Sequence, residues 1–355
     1  MPRVILKTGV GLHVKQLYNE LTKQGHEVWI ASSCNDLDVG KDDGHYVQIA
    51  TDTLTPWQLC TTLGTLHRLI VAKGIEVVHC HHRKPSLIMR IYNTLWHIPV
   101  AYTLHSAPIP HDLMHRLTTW GGNCPIAVSQ EVAEFMRDKL GIANARVVTN
   151  GVDEAQLTPL SAEERQRLAA AYNLKSDTFV VAMHGRICDV KNHLSVAKAM
   201  QLLPAEVRQN IVVLCSGEQT GHYYHTLDSY IKTHDLTRHF HFCGWQSARD
   251  VTGAADLLIS PSTIEGFPLN CIEAMMLNVP VMRTKTSGYA DMATCVRPIS
   301  SHEPQAIADA LTWAYHHRQE LKAMAKDARQ YALSNFTCKR MTHDTVEAYK
   351  SIAGT

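Results

Sequence analysis

Apolar residues recur along this chain in two alternating rhythms. Short apolar runs of strand type are followed by stretches with apolar positions three and four apart, the spacing of one helix face. Val4-Ile-Leu6 reads as a strand. Val14, Leu17, Tyr18 and Leu21 then mark a helix face that Gly25 ends. Val28-Trp-Ile30, Ile75–His79, Pro99–Leu104, Pro125–Ser129 and Arg146–Thr149 continue the strand series. The segment 151–176 breaks the rhythm with Pro159 and the polar run Ser161-Ala-Glu-Glu-Arg, a helix start. The alternation resumes at Phe179–Met183, Ile211–Cys215, His239–Cys243, Asp256–Ser260 and Val279–Met282, and a polar helical tail runs from about 319 to 352.

Two successive runs of this kind predict an α/β protein of two doubly wound, Rossmann-like domains with an interdomain cleft. The boundaries fall at residues 1–155 and 156–335, and a helix over 336–355 packs back toward the N-terminal domain. The 355 residues suit two domains. A net charge of +1 makes no case for nucleic acid, and no apolar run approaches the ~20 residues of a membrane span. The N-terminus enters strand pattern without a cleavable signal. The ten cysteines are scattered without a C-x-x-C pair, which predicts free thiols and a cytoplasmic, reducing location.

Candidate chemistry concentrates in the second half. Thr263-Ile-Glu-Gly-Phe-Pro-Leu-Asn-Cys-Ile-Glu-Ala-Met275 places Glu265 in a loop and Glu273 on the second turn of a helix, with Pro268 at its first position. Either acid alone reads equally well as a partner of the helix dipole. Between them, the backbone N–H groups of Leu269 and Asn270 point out of the helix end, where an anion is favoured. Met183-His-Gly-Arg-Ile-Cys-Asp-Val-Lys-Asn192 also joins a strand to a helix. Gly185 allows a tight turn, and Arg186 and Lys191 bring a planar fork and a point charge. Alone, these are surface charges. Sharing a sheet edge with the 263–275 loop, they make a diphosphate site whose flanking carboxylates hold neutral sugar hydroxyls.

The ordered set of motifs resembles the retaining glycosyltransferases of GT-B architecture, specifically glycosyltransferase family 4, over nearly the whole chain. Gly9-Val-Gly11-Leu-His13-Val is similar to the family's Gly-rich first loop, Val77-Val-His79-Cys-His81 to its D-V-V-H-x-H strand end, and Tyr102-Thr-Leu-His105 to its T-x-H segment. Ile126–Ser129, Val147–Asp153, Gly185-Arg186 with Lys191, Cys215–Glu218 and Phe242–Gly244 follow in order. Glu265 and Glu273 match the E-x7-E motif, the most specific feature. The resemblance implies that Glu273 binds ribose and Glu265 the transferred sugar of a nucleotide-sugar donor, a UDP-sugar foremost. Arg186 and Lys191 hold the diphosphate, Gly266, Phe267, Leu269 and Asn270 form the donor-binding turn, and the base lies near Phe242–Gln246. Gly11 admits the donor, and His105 sits near the sugar or acceptor. Ser287-Gly288-Tyr-Ala-Asp291 departs from the family's Gly-Gly-x-x-Glu.

The reaction implied is hexosyl transfer to a glycan or lipid-linked acceptor, in cell-surface polysaccharide or lipopolysaccharide synthesis, with no cofactor and no metal. The leaving phosphate takes the acceptor's proton in a same-face attack. No D-x-D pair is positioned for a divalent ion, and no metal set is evident: His79, His81 and His82 are neighbours on a strand end, where successive side chains point to opposite faces. A nucleotide-sugar 2-epimerase, which needs no acceptor, and a non-catalytic subunit share the architecture. Arg83, Lys84, Arg90 and Arg116 lie in a stretch whose only acid is Asp112, which reads as a solvated face or as a peripheral contact with an anionic membrane surface.

Overall fold

The computed structural model describes residues 9–51 and 55–354. The expected strand Val4-Ile-Leu6 lies outside the described residues. The chain forms two compact units: one holds the residues through Gly151 together with Cys338 onward, the other Val152–Thr337.

In the first unit the strands are β1 (Ile30–Ser32), β2 (Tyr46–Gln48), β3 (Val78–Cys80), β4 (Val100–Leu104), β5 (Cys124–Ala127) and β6 (Arg146–Val147). All pair in parallel, β1 with β2 and, separately, β3-β4-β5-β6. Its helices before the crossing are α1 (Gly9–Lys23), α2 (Pro56–Lys73), α3 (Arg83–Leu95), α4 (Leu113–Thr118) and α5 (Gln130–Phe135). The chain's last helix, Cys338–Ala353, belongs to this unit as well. Its Met341, Ala348 and Ile352 pack with Leu17 and Leu21 of α1 and with Ala101, Cys124 and Ile126 of the sheet. Met341 and Ile352 each contribute about 1.5–3 kcal/mol of transfer free energy, so the tail is core, although its sequence reads as polar.

The second unit is a six-stranded parallel sheet of β7 (Phe179–His184), β8 (Ile211–Ser216), β9 (Phe240–Gly244), β10 (Leu257–Ser260), β11 (Val281–Thr284) and β12 (Arg297–Ile299), in the order β12-β11-β10-β7-β8-β9. This is the doubly wound order, with its switch point between β7 and β10, where crevices open at the strands' carboxyl ends. β10 and β11 are buried on both faces, as expected for a sheet with helices on each side. Helix α6 (Ala162–Ala171) opens with a capping box between Ser161 and Glu164, which satisfies two otherwise orphan N–H groups. α7 (His193–Leu202), α8 (Ala205–Arg208), α9 (Gly221–Thr233), α10 (Ala248–Val251), α11 (Leu269–Met276), α12 (Pro304–His316) and α13 (Arg318–Asn335) complete the unit; the Cys338–Ala353 helix is thus α14.

Strand existence follows the apolar runs, with ends displaced by up to three residues, as where the expected Ile75–His79 is observed as Val78–Cys80. Two short strands, β2 and β12, have no clear apolar run, and pairing alone makes them strands. His239 lies in a 3-10 turn just before β9, where its Nδ1 meets the Ile211 carbonyl at 2.9 Å. Pro268 is the N-cap of α11 rather than its first helical residue, with ψ at 114°.

Candidate active site

Two loops at the switch point of the second unit carry most of the predicted residues. The loop after β7 begins at Gly185, whose φ of 131° lies outside the usual range of a side-chain-bearing residue. Its N–H donates to Ser216 O at 2.9 Å. A Cβ on Gly217 would stand 2.2 Å from the Gly185 carbonyl oxygen, so the loops after β7 and β8 touch backbone to backbone. The loop after β10 is tied to the first by a hydrogen bond from Thr263 N to Val190 O at 2.9 Å. Asn192, in the left-handed region, donates its side-chain amide to Pro261 O and His302 O.

This register brings Lys191 against Glu265, with Nζ and Oε1 2.6 Å apart and both side chains largely buried. Burial alone would raise the Glu265 carboxyl. The Lys191 charge and hydrogen bond, with help from Ser262 and Arg283, outweigh it and hold the acid below its ordinary value. Glu273, one helical turn into α11, has the opposite fate. Burial pushes it up to about 7, and the Lys191 charge offsets only part of that. His184 Nε2 lies 3.9 Å from Glu273 Oε2, too far for a hydrogen bond. Burial, then the Lys191 charge, lowers His184 to about 4, so this contact is not an ion pair at neutral pH. Arg186 is exposed and makes no hydrogen bond or ion pair among the described residues.

The turn between the acids is held from both sides. Gly266, Phe267, Leu269 and Asn270 are buried. No side chain caps α11, so its first N–H groups remain available at its N-terminal end. Asn270 Nδ2 donates to His184 O at 3.0 Å, and its Oδ1 is buried without a partner. Phe267 packs edge-on against Phe336. The segment 286–288 lies across the turn: a Cβ on Gly288, where φ is 78°, would come within 2.8 Å of the Gly266 carbonyl. That segment is anchored by Arg283, the largest fully buried side chain, which donates to Thr286 O, Thr286 Oγ1 and Ser287 O at 2.9–3.0 Å. Sequence reasoning missed Arg283. Its signal was a cation inside the buried-type run Val281-Met-Arg-Thr284.

The remaining predicted residues, Gly11 and His105, lie in the first unit. Gly11 is in the first turn of α1 and is buried. His105 follows β4 and has His81 Nδ1 3.0 Å from its Nε2, one ring donating to the other. His13 joins them, edge-on to both rings, with its Nδ1 2.9 Å from Asn150 Oδ1. His79 is fully engaged: Nδ1 meets the Tyr349 hydroxyl and Nε2 the Thr103 hydroxyl, both at 2.7 Å. Burial lowers all four histidines, His13 to about 4, His79 to about 3, and His81 and His105 well below the ordinary value.

Two sequence profiles match the chain, "Glycosyltransferase Family 4" over residues 7–156 and "Glycosyl transferases group 1" over 164–331. The chain belongs to this family of glycosyltransferases. It is therefore a transferase, and its fold is GT-B. The chain is 24% identical over 327 residues to a D-inositol 3-phosphate glycosyltransferase of Saccharomonospora viridis, with 83% of this chain and 75% of that one covered. It is 25% identical over 247 residues to the UDP-Gal:alpha-D-GlcNAc-diphosphoundecaprenol alpha-1,3-galactosyltransferase of Escherichia coli, covering 64% and 62%. Among solved structures, Anabaena Alr3699/HepE in complex with UDP-glucose superimposes with a TM-score of 0.84 at 18% identity, covering 98% of each chain. In this glycosyltransferase the E-x7-E acids are thus a largely buried ion-paired carboxylate and a largely buried carboxyl raised to about 7.

Proposed function

We propose that this glycosyltransferase moves a hexose, with retention, from a UDP-sugar to a glycan or lipid-linked acceptor in cell-surface polysaccharide or lipopolysaccharide synthesis. The observation that carries the reading is the Lys191–Glu265 ion pair beside the uncapped start of α11, with Arg186 unshared at the same sheet edge. An ammonium has three N–H donors, so Lys191 bonded to Glu265 keeps two for a phosphate. Glu273 takes the ribose hydroxyls and Glu265 the sugar. UDP is favoured because HepE is known with UDP-glucose and the Escherichia coli relative is named for UDP-Gal. The latter's name also supports a lipid-diphosphate acceptor.

In the transfer, the bond from the anomeric carbon to the diphosphate oxygen breaks while the acceptor oxygen bonds to the same face of that carbon. The acceptor's proton passes to the departing phosphate oxygen. Arg186, Lys191 and the α11 N–H groups stabilise the charge that grows there, the preorganised electrostatic help that is often the largest catalytic contribution. These groups supply the neutralisation a divalent ion provides elsewhere, so the donor step is metal-independent. His105 serves the acceptor side.

The acceptor's membrane draws on a second surface of the first unit. No helix among the described residues is long and apolar enough to cross a bilayer. Helix α4 exposes Leu113, Met114 and Leu117. Arg83 and Arg90 from α3 donate to Pro110 O and Leu117 O beside it, and Lys84 and Arg116 add charge. Apolar tips ringed by cations suit peripheral contact with an anionic cytoplasmic leaflet. The central test is a screen of nucleotide sugars, each incubated with the protein alone and with acceptor mixtures, read by mass spectrometry and thermal shift. A UDP-sugar that stabilises the protein and yields UDP is expected. Stabilisation by none of the UDP-, GDP- and ADP-sugars would overturn the donor reading. Sugar isomerised without acceptor would mean an epimerase. Flotation with anionic vesicles at low salt tests the membrane surface separately.

A further inference from the structure

Three histidines far apart in sequence converge in the first unit: His13 from α1, His81 from the turn after β3 and His105 from the turn after β4. One ring nitrogen of each lies within 4.8 Å of the others. Two features separate this cluster from a packed group of aromatic rings. The first concerns His13. An amide oxygen only accepts, so the bond from His13 Nδ1 to Asn150 Oδ1 puts the ring proton on Nδ1. Nε2 is then a bare lone pair, on a residue 3% exposed, and it has no hydrogen-bond partner. A buried acceptor left unmet is costly. A ring N–H fixed by an amide or carboxylate oxygen is also how metal-binding imidazoles are oriented.

The second feature is spacing. In a tetrahedral site with metal–nitrogen bonds near 2.0–2.1 Å, neighbouring ligand nitrogens stand about 3.3 Å apart. His81 Nδ1 and His105 Nε2 are 3.0 Å apart across a hydrogen bond, so a cation takes the place of the shared proton, which moves to the donor ring's other nitrogen. The ligand nitrogens of the three rings lie within 4.8 Å of one another, so closing His13 onto the other two takes a movement of at most about 1.5 Å. His79 is excluded from the set because both its nitrogens are engaged.

We propose that His13, His81 and His105 form a three-imidazole site for a first-row transition-metal cation, Zn2+ above all, with a fourth position left to water or an anion. Three imidazoles without a carboxylate select such ions over Mg2+ and Ca2+, which take oxygen ligands. The three residues all belong to the first unit, and the proposal does not depend on the donor assignment.

The test is binding of the cation alone to the full chain. Zn2+ is titrated by calorimetry against a competing chelator, and Co2+ by visible absorption. One equivalent is expected, with the intense d–d bands of tetrahedral Co2+. His13→Ala and, as a shape-preserving variant, His13→Gln lower the Zn2+ affinity about a hundredfold or more, and Asn150→Ala lowers it about 10–100-fold, the scale for a partner that orients a ligand. Because the chain has 22 histidines, exposed His302 replaced by Ala serves as the control and leaves affinity unchanged. Mg2+ does not compete. Unchanged Zn2+ affinity in folded His13→Gln, or octahedral Co2+ spectra in the wild type, means that surface histidines hold the ion and overturns the proposal.

Discussion

Both units put their chemistry at the carboxyl ends of parallel strands, yet they solve the burial of polar groups in opposite ways. In the second unit charge is kept. Lys191 and Glu265 neutralise one another at 2.6 Å, and Arg283 donates to backbone and hydroxyl oxygens at full burial. In the first unit charge is removed. His13, His79, His81 and His105 lie together, and burial holds each in its neutral form. The difference teaches what each group is available for. A buried ion pair retains its field and can act on a developing phosphate charge. A neutral imidazole offers lone pairs and protons instead. Glu273 shows the boundary between the two regimes: one turn into α11 and without a cation in contact, it drifts toward neutrality.

The sharpest break of this comparison is to remove a cation from the charged side. Arg186→Ala or Lys191→Ala is expected to lower turnover at saturating donor about a hundredfold or more, with the fold intact by circular dichroism. Near wild-type turnover in either variant would falsify the assignment of the phosphate groups. Next is Glu273→Gln, read as unfolding free energy against pH without ligand. A carboxyl raised from 4.5 to about 7 adds stability below pH 4.5 and loses it as pH rises through 7. The glutamine variant escapes that loss. The rise sets a ceiling of about 3 kcal/mol, and about 2 kcal/mol of relative gain is expected at pH 8, with none at pH 4. Equal curves for the two proteins would mean that Glu273 is an ordinary ionised surface acid.

Smaller is the division of labour between the acids. Glu273→Ala is expected to weaken UDP binding about tenfold, the scale of one hydrogen bond to a charged group, while Glu265→Ala spares bare UDP and damages transfer. Calorimetry giving equal losses in both variants would remove the distinction between ribose and sugar. The least effect belongs to the neutral side. Tyr349→Phe leaves His79 Nδ1 without its partner and is expected to cost about 1 kcal/mol in urea unfolding. A cost of several kcal/mol would show that the histidine side also depends on buried charge.

Strand and helix alternation was legible because each element carries its own periodicity, and a residue such as Ser161 caps its helix through a neighbour three positions on. The doubly wound class and the candidacy of Arg186, Lys191, Glu265 and Glu273 came from the same local reading: Gly-bearing loops between strand and helix, with charged residues at short spacing. What the chain's order could not say is which groups meet. Lys191 and Glu265 are 74 positions apart, and only the parallel pairing of β7 with β10 and the Thr263–Val190 hydrogen bond bring them into contact. Arg283 lies one residue past the predicted run Val279–Met282, and only the fold supplies the oxygens of Thr286 and Ser287 that it meets. The histidines are the clearest case. Along the strand end, His79, His81 and His82 suggested no convergent set, since neighbouring side chains diverge. The set that does converge takes one histidine from each of three elements, because distance in space is decided by sheet order and packing rather than by spacing along the chain.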